Sequence, residues 1–207
     1  MNESSDMPSK SSPPVKLTYR DFLLFPDDGK RHEVIDGEHY VTPSPSLRHQ
    51  TIVGNLFLAL GNYLENHPIG RVWVAPLDVV LTKFDVVEPD LVYVSRERAS
   101  VLTRHNIQGA PDLAVEILSP GTRKTDEVTK RRAYERCGVG EYWVVDPELD
   151  LVKVYRLKEG RFERIAECSS ESDDVLTTPL LPELRIPLRE LFRGDDTGLR
   201  GGESQTE

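Results

Sequence analysis

Three short apolar runs with the composition of β-strands constrain the fold of this chain more than any other feature. They lie at Asp90–Val94, Leu113–Leu118 and Tyr142–Val145. Runs of this length, rich in Val, Leu and Ile, are typical of the central strands of a sheet. Between the second and third runs, Thr125 can cap a helix that ends near Gly138. Strands that alternate with a helix in this way indicate an α/β arrangement.

The remaining elements are predicted from apolar spacing and from turn residues. Apolar side chains three and four positions apart predict a long helix over Ser46–Asn66. The other predicted elements are short helices over Thr18–Phe25 and Pro187–Phe192, a β-rich run over Val72–Leu81, and hairpins over Arg31–Ile35 with His39–Thr42 and over Leu151–Leu157 with Arg161–Ala166. We therefore predict an α/β or α+β domain with one mixed central sheet.

The length and composition indicate a single soluble globular domain. The 207 residues are 38% hydrophobic and 29% charged, which is typical of a chain that buries a core. We predict that this domain covers residues 15–192. The flanking residues 1–14 and 193–207 are polar and rich in Ser, Pro or Gly, so we predict that both are disordered tails.

Two further features bear on location. No apolar run approaches the ~18 residues that a membrane span needs, and the start of the chain has no apolar signal core, which excludes membrane insertion and classical secretion. The two cysteines, Cys137 and Cys168, form no pattern typical of a disulfide framework or a zinc site. The expected location is therefore a reducing cytoplasm.

The charge distribution limits how this chain can hold a polyanion. The net charge is −9, from 26 basic and 35 acidic residues, which argues against a general positive surface for nucleic acid. The segment Gly121–Arg136 is different, because it carries 6 basic and 3 acidic residues. This basic segment is where we first expect phosphate contact.

Two acids within apolar strands are the main candidates for chemistry. Asp90 begins one strand directly after Pro89, and Glu116 lies inside another. A lone buried carboxylate is costly, so each needs a partner, a proton or a metal. If the strands are neighbours, both could bind one cation, and oxygen ligands favour Mg²⁺ or Mn²⁺ over zinc. The alternatives are a structural arginine beside Glu116 and a cap at the start of the strand for Asp90.

The predicted helix after Glu116 supplies a candidate cation. Asp126, Lys130 and Tyr134 recur four residues apart and share one face. Lys130 must point toward the end of the sheet to meet Glu116. The alternative is an exposed Asp126–Lys130 ion pair of ~0.2–0.5 kcal/mol. For Tyr134 we predict a role in helix packing.

The ordered set Glu33, Asp90, Glu116 and Lys130 resembles a known pattern. The stretches that carry it are RHEVIDGEHYVTPSPSLRHQTIVGNL, VVEPDLVYV and APDLAVEILSPGTRKTDEVTKRRAYERCGVGEYWVVDP. They look like the Uma2 family of endonuclease-like proteins, formerly a domain of unknown function, within the PD-(D/E)XK nuclease superfamily. The resemblance covers about Thr18–Tyr155, and its last stretch is the most specific part.

The resemblance implies a restriction-endonuclease-like core fold and assigns the motif residues. Pro89-Asp90 corresponds to the PD of the superfamily and Glu116 to its (D/E). The sequence departs from the generic motif at Leu118, which stands where the motif has lysine. The family resemblance implies that the next helix supplies this lysine, as Lys130, with Lys124 as the rival position.

The resemblance also implies a role for each residue of the site. The implied catalytic residues are Asp90, Glu116, Lys130 and Glu33. The three acids are the implied ligands of Mg²⁺ or Mn²⁺, with Glu33 binding the metal directly or through water. Arg123 and Lys124 would grip phosphate through charge-assisted hydrogen bonds. His49 would face the pocket as a third substrate contact, or else lie on the surface of its helix.

These features lead to three functional hypotheses. The first is a metal-dependent endonuclease that hydrolyses phosphodiester bonds in nucleic acid, with DNA as the first candidate. The second is a catalytically weak nuclease-like module that binds nucleic acid or protein, because the chain is acidic and its lysine is displaced. The third is hydrolysis of another phosphodiester such as RNA. A homodimer would bring together two sites for two strands.

Overall fold

The computed structural model describes residues 15–194. The predicted N-terminal tail, and the predicted C-terminal tail from residue 195 onward, lie outside these residues. Within them, the α-helices are Tyr19–Phe22 (α1), Leu47–Asn66 (α2), Arg131–Cys137 (α3) and Leu188–Leu191 (α4). None of the helices in the described part of the chain is long and apolar enough to cross a lipid bilayer.

Thirteen strands are present in residues 15–194. They are Arg31–Ile35 (β1), Glu38–Thr42 (β2), Gly70–Val74 (β3), Val79–Thr82 (β4), Asp85–Val87 (β5), Leu91–Ser95 (β6), Ile107–Gln108 (β7), Leu113–Ile117 (β8), Glu141–Asp146 (β9), Leu151–Lys158 (β10), Arg161–Ser169 (β11), Val175–Thr178 (β12) and Leu181–Pro187 (β13). A 3₁₀ helix covers Arg96–Val101, and a π-helical segment, Thr125–Lys130, leads into α3.

The central sheet has six strands in the order β11-β10-β9-β8-β6-β3. Strands β8 and β9 are parallel and the other pairs are antiparallel. The π-helical segment and α3 connect the two parallel strands, as a crossover between parallel strands requires. The three apolar runs of the sequence are β6, β8 and β9, so the predicted mixed sheet with flanking helices is confirmed.

A second sheet accompanies the central one and was not predicted. Its five strands run in the order β2-β1-β5-β4-β7. The β-rich run over Val72–Leu81 is not one element, because it divides into β3 of the central sheet and β4 of the second sheet. Pro76 lies between them and has no N–H with which to continue a ladder. A two-stranded β12-β13 hairpin, also not predicted, precedes the closing helix α4.

The core lies on both faces of the central sheet. On one face, Ile52, Leu56 and Leu60 of α2 pack against alternate residues of β6, β8 and β9. On the other face, Ala133 and Tyr134 of α3 pack together with residues of the second sheet. Alternate strand residues point to opposite faces, so a site between the two sheets receives side chains from both.

Candidate active site

Strand register brings the two predicted acids together. In the β6–β8 ladder Leu91 pairs with Val115. Asp90 and Glu116, the residues next to this pair at the same end of the two strands, therefore lie opposite each other. Residues directly opposite each other in an antiparallel pair project to the same side. Both side chains are buried and both line one cleft. The two acids therefore lie on neighbouring strands and face a common space, as predicted.

Lys130 lies among three carboxylates. Its Nζ is 2.9 Å from Oε1 of Glu33, 3.0 Å from Oε1 of Glu116 and 3.5 Å from Oδ1 of Asp126. The side chain of Lys130 is only 4% exposed, so the alternative of a solvated Asp126–Lys130 pair is wrong. The lysine meets Glu116 as the resemblance implies.

The local helix geometry places this lysine. The helical turns begin at Arg123, and Thr125–Lys130 is π-helical, with both Asp126 and Lys130 buried. A π-segment is wider than an α-helix and occurs frequently at functional sites. The predicted end of the helix is confirmed, because Gly138 caps α3 in the left-handed conformation at φ 83°.

Tyr134 completes the contacts of Glu116. Its ring packs in the core beside the ring of Tyr142, with the centroids 4.9 Å apart, so the predicted packing role is confirmed. Its hydroxyl also donates a hydrogen bond of 2.7 Å to Oε1 of Glu116, which the sequence did not indicate. Glu116 thus binds a lysine and a tyrosine, and not the structural arginine considered as an alternative.

Asp90 is held by three donors from three elements. Arg31 Nη1 donates to Oδ1 at 2.8 Å, and the backbone N–H of Ile117 donates to Oδ2 at 2.8 Å. His49 Nε2 lies 3.0 Å from the same Oδ2. His49 is 5% exposed, so it faces the pocket and is not a surface residue of α2. Asp90 therefore ties β8, α2 and β1 together at the cleft.

The sequence matches one family across most of its length. The sequence model of Uma2, described as "Putative restriction endonuclease", matches residues 19–189. This chain belongs to the Uma2 family. A crystal structure described as "a putative nuclease belonging to DUF820", from Anabaena variabilis ATCC 29413, superposes with a TM-score of 0.71. It is 24% identical, covering 86% of this chain and 98% of that one.

These findings confirm the family and the nuclease-type fold that the sequence resemblance implied. The Anabaena structure is similar in fold across nearly its whole length, so the similarity is not confined to a single motif. No curated protein matches this chain.

The two remaining candidates of this Uma2-family site lie outside the cleft. Arg123 donates two hydrogen bonds to Asp146, of 2.6 and 3.0 Å, and one of 2.8 Å to Glu148. Lys124 is exposed and forms no ion pair with the residues the structure describes. The predicted phosphate contacts of both residues stay predictions. Lys130, rather than Lys124, lies among the acids.

Sequence reasoning missed Arg31 as a site residue, although a signal for it existed. Arg31 and Glu33 are two positions apart on β1, and alternate residues of a strand share one face. Glu33 was implied as a site residue, so Arg31 should have been expected on the same side. The four-residue spacing had already placed Asp126 on the face of Lys130, and the structure shows that both are buried.

The surroundings of the two strand acids shift their pKa values in opposite directions. Burial raises the pKa of Glu116 well above its ordinary value, and the charges of Asp126, Asp90 and Glu33 add to this against the opposing charge of Lys130. Burial also raises the pKa of Asp90, but the hydrogen bond and charge of His49, together with the charge of Arg31, outweigh burial and lower the pKa to about 2. Asp90 is therefore ionised at neutral pH, whereas the ionised form of Glu116 depends on the positive charge of Lys130 and would be favoured further by a bound cation.

The carboxylate oxygens of the cleft suit a hard divalent cation whose remaining ligands are water and substrate. Within residues 15–194, no three acidic, imidazole or thiol side chains are arranged to hold a metal by themselves. Mg²⁺ usually takes only one or two carboxylates and completes its shell with water and substrate phosphate. Asp90 and Glu116 provide two such carboxylates. Oδ1 of Asp126, buried and without a hydrogen-bond partner in the described structure, adds an oxygen at the same cleft.

Proposed function

We propose that this Uma2-family protein is a metal-dependent endonuclease that hydrolyses phosphodiester bonds in nucleic acid, with DNA as its substrate. The observation that carries the proposal is the meeting of Asp90, Glu116 and the Lys130 ammonium group in one buried cleft. The nuclease descriptions of the family and of the Anabaena protein support the same reaction. A predicted homodimer would supply two such sites, one for each strand.

Asp90 and Glu116 are the residues that would hold the metal. Bound Mg²⁺ or Mn²⁺ supplies a Lewis acid for the phosphoryl oxygen and lowers the pKa of bound water. Arg31 and His49 keep Asp90 ionised and fixed in direction. Glu33, implied as the third ligand, binds Lys130 and the backbone N–H of Glu88 through Oε1 and, unlike Glu116, does not line the cleft. We therefore assign it to the outer part of the metal shell, through water.

Lys130 acts in this proposal as a fixed positive charge. Burial lowers the pKa of Lys130, but the charges of Glu116, Glu33 and Asp126 outweigh it and raise the pKa well above the ordinary value. The amine therefore stays protonated at neutral pH and donates hydrogen bonds. A charge held in place before reaction stabilises the negative charge that develops on phosphate in the transition state.

The test is cleavage of single- and double-stranded DNA and RNA with Mg²⁺ or Mn²⁺, beside the same reactions in EDTA. We expect DNA to be cut only with metal, and Asp90→Asn to lower the rate about tenfold or more, because the amide is a poorer metal ligand. Asparagine keeps one oxygen acceptor, which suits the backbone N–H of Ile117, but it replaces the oxygen that accepts from Arg31 with an NH₂ group. Circular dichroism therefore checks that the variant is folded before the rates are compared.

Each other result has a distinct reading. Equal rates for the wild type and Asp90→Asn would indicate a contaminating nuclease. Cleavage of RNA but not DNA would change the substrate class. Tight binding of nucleic acid by the folded wild type without cleavage would favour the binding-module alternative.

Metal binding should be visible without any substrate. Mg²⁺ at about ten times its Kd should add about 1.4 kcal/mol to the free energy of unfolding, which raises Tm by roughly 3–5 °C for a chain of this size. Glu116→Gln should reduce this shift, since it removes one ligand charge. The measurement is thermal unfolding in EDTA and in Mg²⁺. The exposed Glu171→Gln is the matched control, and shifts of equal size in all three proteins would exclude Glu116 as a ligand.

A further inference from the structure

Two donors meet at a single oxygen of Glu116. Lys130 Nζ lies 3.0 Å and the Tyr134 hydroxyl 2.7 Å from Oε1. All three residues are almost completely buried. A carboxylate bound in this way is fixed in rotation as well as in position, because turning it would break hydrogen bonds to two buried donors.

The second oxygen of Glu116 is in a different situation. Oε2 accepts no hydrogen bond from any residue between 15 and 194, and it is not among the fully enclosed unpaired atoms of that range. Glu116 also lines the cleft that contains Asp90. With Oε1 occupied by two donors, Oε2 is the oxygen that remains for a ligand in the cleft.

We propose that Tyr134 is a positioning residue that turns Oε2 of Glu116 toward a divalent cation. The proposal rests on the metal-dependent function above and adds a residue outside the motif to it. Hydrogen-bond partners of metal-ligating carboxylates fix ligand orientation, and their loss commonly costs 10–100-fold in metal affinity or activity.

The surroundings of Tyr134 suit a donor that does not move. Its ring belongs to the core cluster and lies against Tyr142, whose own hydroxyl donates to the backbone oxygen of Asp126 at 3.0 Å. The ring is therefore fixed by its neighbours in the core, and the hydroxyl is held beside Oε1 of Glu116.

The test is Mn²⁺ binding to Tyr134→Phe, measured without nucleic acid from the electron paramagnetic resonance signal of free Mn²⁺. We expect the Kd for Mn²⁺ to rise about 10–100-fold, while Tm in EDTA changes little because phenylalanine fills the same core space. In single-turnover cleavage, the Mg²⁺ concentration at half-maximal rate should rise by a similar factor. Tyr134→Met, which fills the core with another apolar side chain, should give the same weakening.

Tyr93→Phe is the matched control. It also removes a buried tyrosine hydroxyl, but one that is bonded to the backbone oxygen of Ile69 at 3.4 Å and lies outside the cleft. Its Kd for Mn²⁺ should equal that of the wild type. Weakening of the same size in Tyr93→Phe would mean that loss of any core hydroxyl loosens the site, and the positioning role would be lost.

The proposal and the function on which it rests fail in different ways. An unchanged Kd and an unchanged half-saturating Mg²⁺ concentration in Tyr134→Phe, with wild-type cleavage intact, would overturn the positioning role alone. A weakened Kd with no cleavage of any nucleic acid by the wild type would support the positioning role and overturn the nuclease proposal. Failure of the wild type to bind Mn²⁺ would overturn both.

Discussion

Lys130→Met is expected to lower the single-turnover rate of nucleic-acid cleavage about 10²–10³-fold, the usual cost of removing one preorganised electrostatic donor. Affinity for nucleic acid should stay nearly unchanged, because Lys130 is buried among acids and would act only on charge that develops in the transition state. The measurements are rates with enzyme in excess and binding titrations in Ca²⁺. The variant also leaves Glu33, Glu116 and Asp126 without their cation, so its Tm should fall in EDTA and partly recover in Mg²⁺.

Lys124→Met is the matched control for this experiment. It removes the same charge from the same helical segment, but the Lys124 side chain is exposed and forms no ion pair with any residue the structure describes. Its rate should equal that of the wild type. A collapse in Lys124→Met with Lys130→Met unaffected would transfer the catalytic role to Lys124. Unchanged cleavage in both, with binding intact, would leave Lys130 a purely structural cation.

Arg123→Ala is expected to destabilise the protein by about 2–3 kcal/mol. The carboxylate of Asp146 is 1% exposed and accepts two hydrogen bonds from the guanidinium of Arg123. Removing one partner of a buried ion pair typically costs about 3–5 kcal/mol. The expected value is smaller here because the Arg123 side chain is 31% exposed. Urea unfolding followed by circular dichroism would measure the loss.

Two comparisons show whether Arg123 has only this structural role. Lys124→Ala, at the next position, should change the free energy of unfolding by no more than about 0.5 kcal/mol. If Arg123 is structural, the folded Arg123→Ala protein should bind nucleic acid as tightly as the wild type. Weaker binding at unchanged stability would instead support the phosphate contact that the sequence predicts for Arg123.

The elements that the sequence predicted well are those whose signal is local. The long helix α2 follows from apolar spacing, and its observed bounds of Leu47–Asn66 agree with the predicted Ser46–Asn66. The second sheet was missed because two of its strands, Asp85–Val87 and Ile107–Gln108, have only three and two residues. Runs this short carry no readable period, and their pairing depends on contacts across the chain.

The same distinction applies to the site. Asp90 and Glu116 were predicted because acids in apolar strands are conspicuous, and Lys130 was predicted from its spacing on the next helix together with the family resemblance. The hydroxyl contact of Tyr134 was missed because the four-residue spacing predicts the helix face on which the side chain lies, but not the position of its oxygen. The sequence left His49 open between the pocket and the helix surface, because its burial depends on where α2 crosses the sheet, which no local pattern specifies.

The position of the cleft between two sheets determines which parts of the chain the site needs. Arg31 and Glu33 come from the second sheet, Asp90 and Glu116 from the central sheet, and Lys130 from the helical connection within the latter. No short segment contains the whole set, so the site cannot be carried by a peptide or grafted as a single loop. If the proposed chemistry is correct, a gene fragment that starts after β2 would yield an inactive product, even though it contains the complete Pro89-Asp90, Glu116 and Lys130 motif, because it lacks Arg31 and Glu33.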